Sequence, residues 1–313
     1  MALSSSNELA AAAHALCGQQ HYPTHCLYVV ATPIGNRGDI SLRAWYTLSL
    51  MDAIACEDTR NSANLLQSLG LHKPLVAVHE HNEHSQTPLL VARLQAGERI
   101  ACISDAGTPG ISDPGAHLVA AVRAAGLRII PLPGACAAVT ALSASGVPAG
   151  TAHAQGFVFA GFLPSKGRER LTALQAWIAQ AQAAQHNLVI YEAPHRMADL
   201  ARQLADLPPL TLTLARELSK QFEHLHTLPS HDLAAWLAED AQRLRGEFAL
   251  VLHPSPVRAA TADAGDLDEA TRHTLTVLLD EGLPVKQAVA LAARLSGAPR
   301  NALYSAALAL RQA

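Results

Sequence analysis

Aromatic residues are scarce in this chain of 313 residues, where Phe, Trp and Tyr together make up 4%. Ala, Leu and Val must fill the interior instead, which favours close packing of helices on sheets. Charge is sparse too, at 16% against 50% apolar residues, a balance that excludes a disordered chain. Net positive charge is missing. The formal charge is −3 with His neutral, so a bulk electrostatic grip on nucleic acid is excluded and any RNA contact must come from local clusters of Arg and Lys. The five cysteines (Cys17, Cys26, Cys56, Cys102 and Cys136) are odd in number and show no CxxC spacing, which points to buried thiols in a reducing cytoplasm. No apolar run has the length needed to span a bilayer. The first twenty residues carry Glu8 and no Lys or Arg, so they lack the basic start of a secretion signal. Residues 1–25 are expected to be a flexible extension ahead of the fold. Neither GxxxxGKS/T nor GxGxxG occurs, which removes the main support for ATP and NAD, and HExxH is absent as well.

The length points to two domains. Strands are expected at 26–31, 53–56, 75–78, 99–103 and 128–130, and helices at 41–50, 61–69, 88–95, 112–125 and 135–143. Such alternation with short Gly and Pro joints predicts a mostly parallel sheet covered on both faces, in an N-terminal α/β domain spanning 26–148. Residues 145–155, rich in Gly, Ala and Pro, read as a linker. A C-terminal α/β domain, 149–255, follows, with strands at 157–160, 188–191, 210–214 and 248–252 and helices at 169–180, 197–205 and 232–238. A second linker, 255–265, leads to a helical extension, 266–313, with helices at 268–279, 284–295 and 299–309, Pro284 and Pro299 each in a first turn. In the extension Asp266, Asp268, Glu269, Asp280 and Glu281 balance Arg272, Lys286, Arg294, Arg300 and Arg311, so it has no charge signature for RNA. A packing or dimer role suits it equally.

The most informative segment is 104–115 (SDAGTPGISDPG), between an expected strand and an expected helix. In an open parallel sheet the ligand crevice lies there, beyond the carboxyl ends of the strands. Gly107, Gly110 and Gly115 let backbone come close to a ligand, and N–H groups at the helix start can hold a carboxylate. Residues 32–39 (TPIGNRGD) and 131–137 (PLPGACA) lie at the same end. The small residues of the latter suit a flat adenine or a methionine chain, and equally suit helix–sheet packing. Charged groups follow the strands: Glu57, Asp58 and Arg60 after the second, and 79–84 (HEHNEH) after the third. The His run reads as polar lining of a substrate cleft and not as a metal site, because a loop leaves the ligand geometry unspecified. Further strand ends at 162–168, 191–196 and 215–223 would gather Lys166, Arg168, Arg170, Arg196, Arg216 and Lys220 on one rim able to meet phosphates.

Together these motifs resemble the family of ribosomal RNA small-subunit methyltransferase I, the 16S rRNA cytidine 2′-O-methyltransferases of the tetrapyrrole-methylase-like superfamily. The resemblance is carried by LYVVATPIGNRGDIS (27–41), ACEDTR (55–60), HEHNE (79–83), ISDAGTPGISDPG (103–115), PLPGACA (131–137), GFLPSKGRER (161–170), YEAPHR (191–196), ARELSKQFE (215–223) and GEFALVL (246–252). It implies a class III methyltransferase fold of two α/β domains, S-adenosylmethionine in the cleft between them, and a homodimer. Gly107-Thr108-Pro109 stands where the superfamily has a cofactor-binding GDP turn, with Thr108 replacing Asp; Cys136 stands where Ser or Thr is common. The residues expected at the cofactor are Pro33, Asp105, Ala106, Gly107, Thr108, Gly110, Ile111, Pro133, Gly134, Ala135, Cys136, Ala137, Tyr191, Glu192 and Glu247. In-line displacement needs an aligned ribose oxygen and a base or cation beside it, for which Glu57, Asp58, Arg60, Asp105 and Lys220 are candidates. Lys166, Arg168, His195, Arg196, Arg216 and Lys220 are expected on phosphates of 16S rRNA in the small ribosomal subunit. The implied enzyme is cytoplasmic, with no metal and no membrane partner. Two rivals stand beside it. One is a methylase of a tetrapyrrole or other small molecule on the same fold, disfavoured by charged, aromatic-poor strand ends. The other is a non-catalytic ribosome-assembly factor, which has no need of close-approach glycine turns.

Overall fold

The computed structural model describes residues 2–256, 267 and 269–312, and the chain divides into two compact units, Met1–Ser255 and Pro256–Ala313. The first unit opens with α1 (Ala2–Cys17), where the sequence predicts a flexible extension. The run of alanines at 10–13 favours helix, and Ala13 and Cys17 are buried, Ala13 in a cluster with Tyr22, Trp45 and Leu48. Five strands follow: β1 (Cys26–Val29), β2 (Ala53–Cys56), β3 (Leu75–Ala77), β4 (Arg99–Ile103) and β5 (Arg128–Pro131). They form one all-parallel sheet in the order β3-β2-β4-β1-β5. Its central strands are continuous apolar runs because both faces are covered. Alternate residues serve the two faces. Tyr28, Ile54 and Ala101 meet α2 (Leu42–Leu50) and α3 (Thr59–Ser68), while Leu27, Ala55 and Ile100 meet α4 (Glu83–Gln95) and α5 (Ala116–Ala124).

Local chemistry sets the helix starts. The Ser41 hydroxyl accepts the Ala44 N–H at 3.0 Å and so begins α2. Helix α4 starts five residues before the expected position and contains Pro88. Asn82 turns the chain into it by accepting the His79 N–H at 2.8 Å and donating to the Ala77 carbonyl at 3.0 Å. Helix α5 starts four residues late because the chain bends at Gly115, whose φ is +124°.

Helix α6 (Ala137–Ser145) leads to a second sheet of β6 (Gly156–Phe162), β7 (His186–Glu192), β8 (Thr211–Arg216), β9 (His224–Pro229) and β10 (Phe248–Leu252). The order is β6-β7-β10-β8-β9, with only β6 and β7 parallel. A strand at β9 is not foreseen in the sequence. It is an edge strand in which histidines alternate with apolar residues, returned against β8 by a turn with Glu217 and Ser219 at positive φ. Leu188, Ile190, Leu212, Leu214 and Leu250 on one face pack on α7 (Gly167–Ala183), α8 (Met197–Ala205) and α9 (Leu233–Ala238). On the other face Val189, Ala215, Ala249 and Val251 meet Ala138 and Ala141 of α6 and Ile34 from the turn after β1. This second face therefore looks onto the carboxyl ends of the first sheet.

The second unit holds α10 (Glu269–Asp280), α11 (Val285–Ser296) and α12 (Arg300–Gln312) around Leu275, Ala288, Val289, Ala292, Leu303 and Ala307. Pro284 is the residue capping α11 rather than a first-turn residue, and Gly297 ends that helix in the left-handed region at φ +72°. Residues 257–265 of the expected linker at 255–265, and Asp266 and Asp268 at the start of the extension, lie outside the described residues. Among the described residues no helix is long and apolar enough to cross a membrane.

Candidate active site

Three turns at the carboxyl end of the first sheet are stitched together by their backbones. Thr32 and Gly107 exchange a pair of hydrogen bonds, Thr32 N–H to Gly107 carbonyl at 2.9 Å and Gly107 N–H to Thr32 carbonyl at 3.0 Å. The Thr32 hydroxyl donates to the Ser104 carbonyl at 3.0 Å, and the Ser104 hydroxyl to the Gly107 carbonyl at 3.0 Å. Thr108 ties in the third turn by donating to the Ala135 carbonyl at 2.9 Å. Gly107 makes this possible with φ at +87°, a conformation costly to any residue bearing a Cβ. Gly134 is required for a different reason: a Cβ there would lie 2.5 Å from the Ala31 Cβ. Cys136 caps α6 without a side-chain hydrogen bond. The phenol oxygen of Tyr191, from the second sheet, accepts the Ala138 N–H at 2.8 Å instead.

Between these turns and the second sheet lies a cavity of about 350 Å³. Of the residues expected at the cofactor, Ala106, Gly107, Thr108, Ile111, Cys136, Ala137, Tyr191, Glu192 and Glu247 line it. Pro33, Asp105, Gly110, Pro133, Gly134 and Ala135 are not in the wall; Ala135 and Gly134 hold the turns in shape behind it. Lining residues missed in the sequence are Ile34, Ser112, Asp113, Phe162, Ala193, Pro194, Ala215, Leu218 and, from β10, Phe248 and Ala249. All of them sit inside the quoted motifs, Phe248 and Ala249 as the interior of strand β10. Phe162, Tyr191 and Phe248 also make the wall more aromatic than the strand ends suggest. Ile111 and Phe162, both in the wall, stand 49% and 56% exposed.

The candidate catalytic groups divide sharply. Asp58 caps α3, accepting the Arg60 N–H at 2.7 Å and pairing with the Arg60 guanidinium at 2.8 Å. That partner holds its carboxyl at about 2. Asp105 braces the same helix start, accepting from Asn61 Nδ2 at 2.7 Å and the Asp58 N–H at 3.3 Å. Asp58, Arg60 and Asp105 are thus tied together at the start of α3. For Glu57, burial pushes the carboxyl up, helped by Asp113, Asp105 and Asp58. Asp113 is likewise pushed up, first by burial and then by Asp105, against the nearby Ser104 side chain. Lys220 is committed to two carboxylates, Glu217 at 2.8 Å and Glu247 at 3.0 Å, and lies against the turn of the first sheet, where a Cβ on Gly35 would sit 2.5 Å from its Cγ. Ser219 beside it hydrogen-bonds Asp39 of that turn.

The expected basic rim is largely turned inward. The Arg196 guanidinium pairs with Glu192 at 2.7 Å and donates to the Leu163 carbonyl at 2.6 Å. Arg216 donates to the carbonyls of Arg245 and Gln242 at 2.6 and 2.8 Å. Arg170 is buried against Gln203 at 2.8 Å. Lys166, Arg168 and His195 remain exposed. The histidine run at 79–84 also has a structural use. Glu83, buried, accepts the N–H groups of Gly115, His117 and Leu118 at 3.0, 3.1 and 3.2 Å, capping α5 from a neighbouring helix. Among the described residues no three His, Cys, Asp or Glu side chains gather to hold a metal ion.

The profile of the family described as Tetrapyrrole (Corrin/Porphyrin) Methylases matches residues 26–234, and that of the RsmI C-terminal HTH domain matches 265–311. Ribosomal RNA small subunit methyltransferase I of Escherichia coli O157:H7 is 44% identical over 284 residues, covering 90% of this chain and 94% of its own. The protein of the same name from Pseudomonas aeruginosa is 45% identical, covering 90% and 96%. Among solved structures, diphthine synthase superposes with a TM-score of 0.53 at 13% identity, covering 73% of this chain and 90% of its own. The methyltransferase CobJ gives 0.52 at 18% identity, covering 73% and 93%. At such identities these two speak for the fold alone. Matched along nine-tenths of its length by the named relatives, and by both family profiles in order, the chain belongs to the ribosomal RNA small subunit methyltransferase I family, within the tetrapyrrole methylases.

Proposed function

We propose that this protein transfers a methyl group from S-adenosylmethionine to the ribose 2′-oxygen of a cytidine in 16S rRNA of the small ribosomal subunit. The observation that carries the reading is the cavity walled on one side by three stitched backbone turns and on the other by the charged ends of a second sheet. Its volume of about 350 Å³ lies within the range of small-molecule sites. Its chemistry fits the cofactor: Ile34, Leu218 and Phe248 offer apolar surface to an adenine, while Glu192 and Glu247 place carboxylates in the wall for a cationic ligand. When bound, the cofactor supplies an activated methyl group. The protein's residues hold it, exclude water and align the ribose oxygen. Lys166, Arg168 and His195 are the exposed groups left to meet RNA phosphate. The reading includes a cytoplasmic homodimer, which sedimentation of the purified protein tests.

The rival is a tetrapyrrole or other small-molecule substrate, which the aromatic residues in the wall keep in view. Labelled methyl transfer to undermethylated small subunits, to free 16S rRNA and to a tetrapyrrole separates the readings. The expected result is label in RNA alone, located by mass spectrometry on a cytidine ribose. Label in the tetrapyrrole alone overturns the assignment.

A further inference from the structure

We propose that Asp113 is the group that accepts the proton of the ribose 2′-hydroxyl during methyl transfer, an assignment that rests on the ribose reading above. Four carboxylates gather near the carboxyl ends of β2 and β4: Glu57, Asp58, Asp105 and Asp113. Asp58 and Asp105 are occupied with the start of α3, through the bonds to Arg60, Asn61 and the Asp58 amide. Glu57 is not part of the cavity wall, and Asp113 is.

The turn that carries Asp113 is held firmly. Pro114 follows it with a fixed φ. Gly115 comes next, at φ +124°, with its N–H captured by the buried Glu83 at 3.0 Å. A Cβ at Gly115 would meet the Cys102 Sγ at 3.3 Å, so the chain is packed closely against β4 there. A carboxylate on so constrained a turn is preorganised, as proton transfer in a transition state requires.

The titratable groups around Asp113 come from three strands: Asp105, which follows β4, acts on Asp113, while Asp113 in turn acts on Glu57 after β2 and on Tyr191 of β7. Burial and the negative Asp105 raise its proton affinity, opposed by the nearby Ser104 side chain. The methyl donor keeps the electron pair of the broken carbon–sulfur bond. The ribose oxygen forms the new O–CH3 bond with a lone pair and releases its proton, which Asp113 takes up and later returns to water.

The test is single-turnover methylation of undermethylated small subunits by the whole protein, with cofactor affinity followed by calorimetry. Asp113→Asn is expected to lose roughly 100-fold or more in rate, with cofactor affinity kept within about threefold. Asp113→Glu, which restores a carboxylate, is expected to recover part of the rate. The wild-type rate should rise with pH through one ionisation that Asp113→Asn abolishes. Carboxyl-carbon NMR of the ligand-free protein should show Asp113 titrating above the usual Asp range, and the Glu57 carboxyl titrating lower in Asp113→Asn than in wild type. A wild-type rate in Asp113→Asn, or a loss explained wholly by weaker cofactor binding, overturns the assignment. Methylation by the wild type at an atom other than the ribose 2′-oxygen overturns the functional reading first, and is recognised by mass spectrometry before any variant is compared.

Discussion

At the end of β7, Arg196 turns its guanidinium inward onto Glu192, whose side chain has 0% exposure. Removing one partner of a buried ion pair leaves the other without compensation. Arg196→Ala is expected to cost about 3 kcal/mol of stability in urea denaturation, and to weaken cofactor binding because Glu192 lines the cavity. A stability within about 0.5 kcal/mol of wild type, together with weakened RNA binding, would return Arg196 to the phosphate-binding role expected from the sequence. His253 presents the opposite case. It is buried at the end of β10, with Nε2 2.9 Å from the Thr213 hydroxyl, and burial pushes its imidazole down to about 4. In the unfolded chain a histidine titrates near 6.5. Between about 6.5 and about 4 the unfolded state therefore binds a proton that the folded state refuses. Stability is lost as pH falls through that window, by on the order of 3 kcal/mol in total. Urea midpoints measured from pH 7 to 4 should show a shallower decline for His253→Gln than for wild type. Equal slopes would mean that His253 is not the group responsible.

Helix α5 depends on a residue that is not its own. Glu83→Ala leaves the N–H groups of Gly115, His117 and Leu118 without their acceptor, at an expected cost of about 2 kcal/mol. Hydrogen exchange at those amides should accelerate, while Glu83→Gln, which keeps an acceptor, should lose less. Unchanged exchange in Glu83→Ala would show that water replaces the carboxylate without penalty. The same helix illustrates what was legible in the sequence. The parallel strands of the first sheet are apolar runs between turns, so their positions and the ligand-facing end of the sheet could be read directly. The glycine turn at 104–115 could be read as a site because Gly and Pro are rare in ordinary βα joints at that density. The antiparallel pairing of the second sheet was not legible, because a strand's direction depends on its neighbours and not on its own residues. Edge strand β9 hid behind alternating histidines. The roles of Asp58, Asp105, Arg196 and Lys220 were also hidden. Each follows an apolar strand, and the residues alone do not show the partner that each is bonded to in the fold.

Across the whole molecule, 23 basic residues stand against 26 acidic ones, and several cations near the cavity are already paired or bonded to carbonyls. RNA binding should therefore have a shallow dependence on salt. Lys166→Ala and Arg168→Ala should each lower the slope of log affinity against log salt by about 0.7–0.9, the effect of one lost phosphate contact, whereas Arg216→Ala should leave it unchanged. Wild-type slopes in both of the first two variants would remove them from the interface. Finally, the two sheets share an apolar cluster: Ile34, Ala138 and Ala141 come from the first half, and Val189, Ala215, Leu218, Ala249 and Val251 from the second. Neither half can open without exposing the surface of the other, so the region spanning both sheets should melt as one cooperative unit. The slowest amides of β4 and β10 should then report the same opening free energy. A β10 that exchanges through a cheaper, separate opening would show that the halves are two foldons in contact.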